Sequence, residues 1–492
     1  MILDALDLHA HERPTSLAVD DVTYVELRNG ASRVAERFRA IGVGAGDRVV
    51  LYAENSQAFI LAYLGALRAG AIVVPANVLY RESDLARIVA DSDARIMCVS
   101  AQSRPFAAAS FSGTFVDLAD VAAWAIDARI ASYACDRKPD DLALLVYTSG
   151  TTGRAKGAML THGNLAAIAS QVARAWAWSA DDTLLLTLPL FHIHGLCAGV
   201  NGTLATGARL LLRERFDVSD VFATLRAGTA TMFFGVPTMY VRILAHARPG
   251  PFPAVRLFVS GSAALAANVH EAFAARFDAA ILERYGSTEF GFALTNRYDG
   301  ARYPGTVGFP FPDVRVRLID ANDRDVAAGA IGEILVSGPN VCAGYWRDTD
   351  ATNAAFLRDA DGVRWFRSGD LATYDPVRGY AIVGRTKELI ISGGFNIYPR
   401  EIEDELVRID GIRAAAVIGR PDAARGEFPI AYIEIEGAGD VDVEAALVTL
   451  RTRLASFKVP REITIVAELP RNAMGKIDKP ALRALFSDTS SR

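Results

Sequence analysis

Strand-length apolar runs alternate with alanine-rich helical patterns along most of this 492-residue chain, and no other feature narrows its fold as much. Residues 48–52, 71–75 and 94–100 read as buried strands, with helical patterns at 56–69 and 82–91 between them. The unit returns at 255–260, followed by a helical pattern at 265–275. Parallel strands need crossover connections, usually helices, so this rhythm predicts βα units around largely parallel sheets with helices on both faces. From about residue 308 the texture changes. Residues 314–319 and 332–337 alternate as half-buried strands, which predicts a small antiparallel β unit over about 308–386. After Lys387 the pattern resets, with strands at 388–391, 414–419 and 429–436 and helices at 399–408 and 443–454. Roughly 105 residues suffice for a small independent domain. The expected fold class is therefore α/β. A large N-terminal domain, 1–386, holds two βα-layered sheets plus the small β unit, and a small α+β domain, 387–492, follows.

The chain is 51% apolar and 22% charged, as an ordinary globular enzyme is. Its net charge of −5, with no basic block, excludes nucleic acid as an expected partner. Cys98, Cys135, Cys197 and Cys342 lie far apart without a C-x-x-C pair, which fits a reducing compartment. Residues 1–11 lack the basic and apolar regions of a signal peptide. The longest apolar stretch, 184–200, is interrupted by Pro189, His192 and His194, and falls short of the roughly 20 clean residues a spanning helix needs. The expectation is a soluble cytoplasmic protein with no membrane partner.

Chemistry enters at Tyr147-Thr148-Ser149-Gly150-Thr151-Thr152-Gly153-Arg154-Ala155-Lys156-Gly157. The run follows an apolar strand pattern at 142–146 and precedes 158–165, which reads as the opening of a helix. Its glycines permit close backbone approach, so successive N–H groups can turn onto an anion, and four hydroxyls and a lysine add donors. It is not a Walker A loop, because Ala155 precedes the lysine and Gly157 follows it. The segment resembles the phosphate loop of the adenylate-forming superfamily of acyl-CoA synthetases, adenylation domains and luciferases. That resemblance implies that Thr148, Ser149, Gly150, Thr151, Thr152, Gly153 and Lys156 hold the β- and γ-phosphates of ATP.

Three further motifs follow in the superfamily's order. In Glu283-Arg284-Tyr285-Gly286-Ser287-Thr288-Glu289 the resemblance implies that Tyr285 stacks on adenine, Thr288 donates to the α-phosphate and Glu289, with Thr151, holds Mg²⁺. Gly261, Ser262, Ala263, Glu283 and Gly286 would complete the nucleotide pocket. In Ser368-Gly369-Asp370 and Gly384-Arg385-Thr386-Lys387, Asp370 matches the ribose-binding aspartate, Arg385 the pre-hinge arginine and Lys387 the hinge. An Arg–Asp pair holding a turn would also account for Asp370 and Arg385. In Gly475-Lys476-Ile477, Lys476 matches the lysine that enters the site during adenylation, where charge grows on the α-phosphate. A mobile C-terminal domain would then swing, and Ser392, Gly393, Gly394 and Phe395 would line the tunnel for the pantetheine of CoA. The implied reaction is two-step: ATP and a carboxylic acid give an acyl-adenylate and pyrophosphate, and a thiol then takes the acyl group. CoA is the expected acceptor, with an acyl carrier protein as its rival.

Arg284 bears on the acid. A guanidinium beside an acyl pocket is an uncompensated buried charge unless an anion meets it, and a second substrate carboxylate would. An internal salt bridge with Glu283, or a solvent-facing side chain, would also explain it. The run Leu188-Pro189-Leu190-Phe191-His192-Ile193-His194-Gly195-Leu196 and the segments 234–238, 259–263 and 296–300 look like those of malonyl-CoA synthetases. His192 and His194 read as pocket residues or as packed core histidines. Where the malonate enzymes carry Met this chain has Ser287, and Phe290 and Phe292 replace polar residues, which makes the pocket more apolar. Arg284, His192, His194, Ser287 and Phe290 are therefore the expected acyl-pocket residues. The candidates are malonate, a substituted malonate, another short dicarboxylate, or a medium-chain or aromatic acid.

Overall fold

The computed structural model describes residues 1–134, 136–148, 155–246, 250–392, 395–422, 426–436, 441–472 and 475–486. Two large sheets form its centre. One has six strands, in the order Thr114–Asp117, Ile96–Val99, Arg48–Tyr52, Ile72–Pro75, Leu142–Thr148, Lys156–Thr161. The other has nine and runs from Phe309–Pro310 through Gly291–Thr295, Ile281–Ser287, Leu257–Ser260, Met232–Gly235, Thr183–Leu186 and Arg209–Leu212 to Leu17–Val19 and Val22–Thr23. Most inner pairs in both sheets are parallel; both edges of the nine-stranded sheet and the Lys156–Thr161 edge of the six-stranded sheet pair antiparallel, while its Thr114–Asp117 edge is parallel. The helix Gln57–Arg68 is buried on nearly all sides, as a helix apolar all round must be, and Ser56 caps it by accepting from the Phe59 amide at 3.1 Å.

The small β unit is a five-stranded antiparallel sheet of Arg315–Ile319, Gly332–Ser337, Arg364–Asp375, Phe356–Arg358 and Gly379–Arg385. The C-terminal sheet is formed by Phe395–Ile397, Ile390–Ser392, Gly426–Ile435, Ile412–Asp422 and Ile463–Ile465, with the helices Pro399–Val407 and Val443–Arg453 packed on its apolar face. The α/β class, two layered sheets, β unit and small C-terminal unit all match the expectation.

One local expectation fails. Of residues 158–165, only 162–165 open a helix. Lys156–Thr161 is a strand that pairs antiparallel with Leu142–Thr148, with Thr148 opposite Lys156. The helix begins at His162, where Thr161 accepts from the Asn164 amide and Asn164 caps Thr161 in return. The alanine and leucine of 158–160 are buried by alternation within the sheet, and tertiary pairing overrides their helix propensity.

No helix among the described residues is long and apolar enough to cross a membrane. The stretch 184–200 instead splits into the strand Thr183–Leu186 and a π-helical segment, His194–Val200. Cys98, Cys197 and Cys342 are free and buried, and Cys135 lies outside the described residues.

Candidate functional site

The nucleotide side is built where the large sheet meets the β unit. The strands Ile281–Ser287 and Gly291–Thr295 form a hairpin with a register shift between Tyr285 and Gly286. Gly286 is obligatory there, since a Cβ would sit 2.0 Å from the Gly291 carbonyl oxygen. Tyr285 donates its hydroxyl to Asp370 Oδ2 at 2.6 Å, and Arg385 Nε lies 2.7 Å from Asp370 Oδ1. Asp370 and Arg385 are directly opposed across the ladder of the β unit, so the sheet register brings them together. The adjacent Asp370 carboxylate holds the Arg385 guanidinium above its usual range. The Arg–Asp pair weighed from sequence is thus present, and it presents the buried Asp370 carboxylate beside the Tyr285 ring.

Glu289 collects three neutral donors: Ser287 Oγ at 2.8 Å, Tyr345 OH at 3.1 Å and Thr148 Oγ1 at 3.5 Å. Lys156 Nζ stands 5.3 Å from the centre of the Tyr345 ring. Thr148, Lys156 and Glu289 are therefore brought together at the Thr148–Lys156 end of the paired strands. Ser149, Gly150, Thr151, Thr152 and Gly153 lie outside the described residues. Thr288 sits part-buried in the turn beside Glu289. Tyr345 was missed from sequence because an isolated tyrosine carries no spacing signal.

Burial pushes the Glu283 carboxyl up to about 8, against the pull of Arg400 and the Gly305 amide. Glu283 and Arg284 are consecutive strand residues, so their side chains leave opposite faces of the sheet. That geometry excludes the ion pair between them considered above. Arg284 is 4% exposed, which excludes a solvent-facing side chain as well.

The acyl side surrounds Arg284. Its Nη2 donates to Ser262 Oγ at 3.3 Å and its guanidinium carbon lies 4.5 Å from the centre of the Phe292 ring, while Nε has no hydrogen-bond partner. Gly261 leaves the room for it, because a Cβ there would fall 2.4 Å from Arg284 Nε. Ser262 holds a left-handed φ of 69°, a conformation costly for a residue with a side chain and concentrated at functional sites. Ala263 follows, part-buried. Burial pushes the Arg284 guanidinium down to about 9, so it remains a cation at neutral pH.

His194 stacks on Phe234 at 5.8 Å and meets Phe292 edge-on at 6.0 Å, with both ring nitrogens unpartnered. His192 accepts from the His194 amide at Nδ1, 3.3 Å away. Burial and the Arg284 charge push His192 down to about 4 and His194 well below its ordinary value, so both rings are neutral at physiological pH. The π-helical segment aims His194 inward, as such segments commonly do at functional sites. No cluster of metal-ligating side chains occurs among the described residues. Phe290 does not join this group. Its ring is fully buried against Tyr285 and Phe366, at 5.6 and 5.7 Å, and the ring that reaches Arg284 is that of Phe292. Ser287 likewise turns its hydroxyl to Glu289 and not to Arg284.

From the C-terminal unit, Lys476 comes within electrostatic reach of Arg385 and Asp370, and a Cβ on Gly475 would lie 3.0 Å from Thr238 Oγ1 of the N-terminal unit. Burial and the Arg385 charge lower the Lys476 pKa, while Asp370 and Glu388 act in the opposite direction. Lys387 sits exposed in the short turn Thr386–Glu388 between the units. Ser392 is buried in the C-terminal sheet, and Phe395 is 54% exposed and stacked on Phe457 at 4.5 Å. Gly393 and Gly394 lie outside the described residues.

The sequence profile of the AMP-binding enzyme family matches residues 6–346, and that of the AMP-binding enzyme C-terminal domain matches residues 401–476. The chain belongs to the AMP-binding enzyme family. It is 38% identical to a feruloyl-CoA synthase of Amycolatopsis over 94% of each chain, and 34% identical to the sulfoacetate–CoA ligase of Cupriavidus necator over 95% of this chain and 94% of that one. The crystal structure of ATP-bound MatB from Rhodopseudomonas palustris superposes with a TM-score of 0.92 at 36% identity, covering 99% of this chain and all of that one. As a member of the AMP-binding enzyme family, the chain is an AMP-forming acid–CoA ligase that uses ATP and CoA.

Proposed function

We propose that this ligase activates a short acid carrying a second anionic group, with a malonate-sized dicarboxylate as the leading substrate class. The observation that carries the reading is Arg284, a cation buried to 4% exposure with an unpartnered Nε and no carboxylate paired with it among the described residues. A second carboxylate or a sulfonate would supply the missing acceptors. A hydrogen bond to a charged group of this kind is worth roughly 1.5–3 kcal/mol. The neutral His194 ring can donate beside it without adding charge. The similarity to a sulfoacetate–CoA ligase accords with an anionic tail.

In the proposed reaction the substrate carboxylate oxygen attacks the α-phosphorus of ATP, and pyrophosphate leaves. The thiolate of CoA then attacks the acyl carbon, and AMP leaves. Asp370 would take the ribose, Tyr285 the adenine, Thr288 the α-phosphate, and Thr148 and Lys156 the leaving phosphates. Lys476 would neutralise charge growing between the carboxylate and the α-phosphate. The Glu289 carboxylate, which accepts from three neutral hydroxyls among the described residues, suits a hard cation; Glu289 would hold Mg²⁺, which would offset phosphate charge. Lys387 would be the hinge, Ser392 and Phe395 would face CoA after rotation, and a reducing cytoplasm would keep the thiols free.

An aromatic acid is the second reading, favoured by the ring walls of Phe234, Phe292 and His194 and by the similarity to a feruloyl-CoA synthase. A pyrophosphate-release screen over malonate, methylmalonate, succinate, sulfoacetate, medium-chain fatty acids, benzoate and ferulate, with and without CoA, separates the two. The dianionic acids are expected to give the highest kcat/KM. Faster turnover of ferulate or benzoate than of any dianionic acid would overturn the first reading.

A further inference from the structure

The loop that carries Lys476 is tied down at both ends by partly buried ion pairs, and each end is tied to a different partner. Upstream, Arg471 Nη2 lies 3.0 Å from Glu434 Oε2, and Glu434 also receives Arg413 at 3.2 Å and the Leu469 amide at 2.6 Å. Glu434 stands on the strand Gly426–Ile435, so this end is fixed to the C-terminal sheet. Across the loop the Asn472 amide donates to the Lys476 carbonyl at 2.8 Å, and the Lys476 amide donates to Asn472 Oδ1 at 3.1 Å.

Downstream, Lys479 Nζ lies 2.9 Å from Glu388 Oε2 and 2.8 Å from Glu403 Oε1, and Lys479 is only 9% exposed. Glu388 directly follows Lys387, and Glu403 belongs to the helix Pro399–Val407. Burial works against the Lys479 ammonium, but the two carboxylates outweigh it and raise its pKa. Glu388 also feels Lys476 and Arg385. One carboxylate therefore faces three cations, and Lys479 holds it in an ion pair.

We propose that Lys479 is a positioning residue for adenylation: by engaging Glu388, with Glu403 behind it, it keeps that carboxylate from closing on Lys476. The Lys476 ammonium then stays free for the reacting carboxylate and the α-phosphate. The inference rests on the role given to Lys476 above. Without Lys479, two partly buried carboxylates would lose their shared cation, and Glu388 already feels the Lys476 charge.

The test uses the full-length enzyme and both half-reactions: acid-dependent pyrophosphate release, and thioester formation from supplied acyl-adenylate. Lys479→Met is expected to lower kcat for adenylation about 10- to 100-fold, with KM values for ATP and acid and the thioester step changed by no more than about threefold. Adding Glu388→Gln to Lys479→Met is expected to restore about tenfold or more, and Lys479→Arg to retain most of the activity. Equal losses in both half-reactions, or a double variant no better than the single one, would overturn the proposal.

Should Lys479→Met fold poorly, Glu388→Gln alone decides. The charged groups facing Lys476 are Arg385, Asp370, Glu388 and Lys479, and removing the Glu388 charge lowers the Lys476 pKa. The alkaline limb of the adenylation pH profile is therefore expected to move to lower pH, and an unmoved limb would overturn the proposal, because Glu388 would then lie too far from Lys476 to compete for it. Lys476→Met serves as the separate control. Adenylation surviving that change would remove the role assigned to Lys476 itself, and this proposal with it.

Discussion

Two neighbouring regions of the cleft treat their polar groups in opposite ways. On the nucleotide side, Tyr285 and Arg385 converge on Asp370, and three hydroxyls converge on Glu289, so the carboxylates are held before any ligand arrives. On the acyl side, Arg284 keeps a buried Nε without an acceptor and His194 keeps two ring nitrogens without partners. A cosubstrate common to a whole family can be met by a preorganised network, because the same hydrogen bonds serve every member. A selective pocket gains more from groups left unsatisfied. Leaving a buried polar group unpaired costs more than making its bond gains, so the wrong acid is penalised by what it fails to supply.

Changes on the nucleotide side should therefore weaken turnover of every acid alike, whereas changes around Arg284 should re-rank the acids. The largest effect is expected from Lys476→Ala, with adenylate formation falling roughly 100- to 1000-fold for all acids and thioester formation from supplied adenylate largely kept. Single-turnover assays of each half-reaction measure this, and equal loss in both would break the assignment. Next, Arg284→Ala is expected to lower kcat/KM for a dicarboxylate about 10- to 150-fold, the equivalent of roughly 1.5–3 kcal/mol, and to change a monocarboxylate far less. Equal losses on the two acids would erase the contrast between the regions.

A smaller effect is expected from Tyr285→Phe, which removes the 2.6 Å bond to Asp370. The ATP KM should rise roughly tenfold or less, identically with each acid. A rise confined to one acid would place Tyr285 on the acyl side. Smallest is a stability effect at Glu283. Its folded pKa is raised to about 8, so between about 4.5 and 8 the folded chain binds a proton that the unfolded chain releases. Stability from this group is therefore lost as pH rises through that window. Glu283→Gln cannot ionise, and its melting temperature relative to the parent is expected to climb by roughly 1–3 °C from pH 5 to pH 9. A difference that stays flat would mean the carboxyl is ionised in the fold.

Much of the molecule was legible from local pattern. The strand and helix rhythm of the N-terminal half, the antiparallel β unit and the C-terminal reset all correspond to observed elements, because period-2 and period-3.6 burial leave direct traces in sequence. Residues 158–161 were misread because an alanine-containing run after a glycine loop, just before a helix, has helix propensity, and only pairing with Leu142–Thr148 made it a strand. Phe290 and Phe292 look equivalent in sequence, being two residues apart around Gly291. They part company because Phe290 lies in the turn before the strand and Gly291 takes a left-handed φ of 57°, so Phe290 packs on Tyr285 and Phe366 while Phe292 reaches Arg284.

The sequence by itself determined the reaction class, since a loop of glycines, hydroxyls and a lysine and three ordered motifs can be recognised without knowing where they sit. It also determined that a cation stands next to Tyr285. Only the tertiary structure decided that this cation is buried and unpaired. Glu283 is its neighbour in the chain but leaves the opposite face of the strand, and the groups that do surround Arg284 arrive from a π-helical segment, a neighbouring strand and a hairpin. Pairing of charges depends on faces and distances across elements, and a linear order of residues does not contain them.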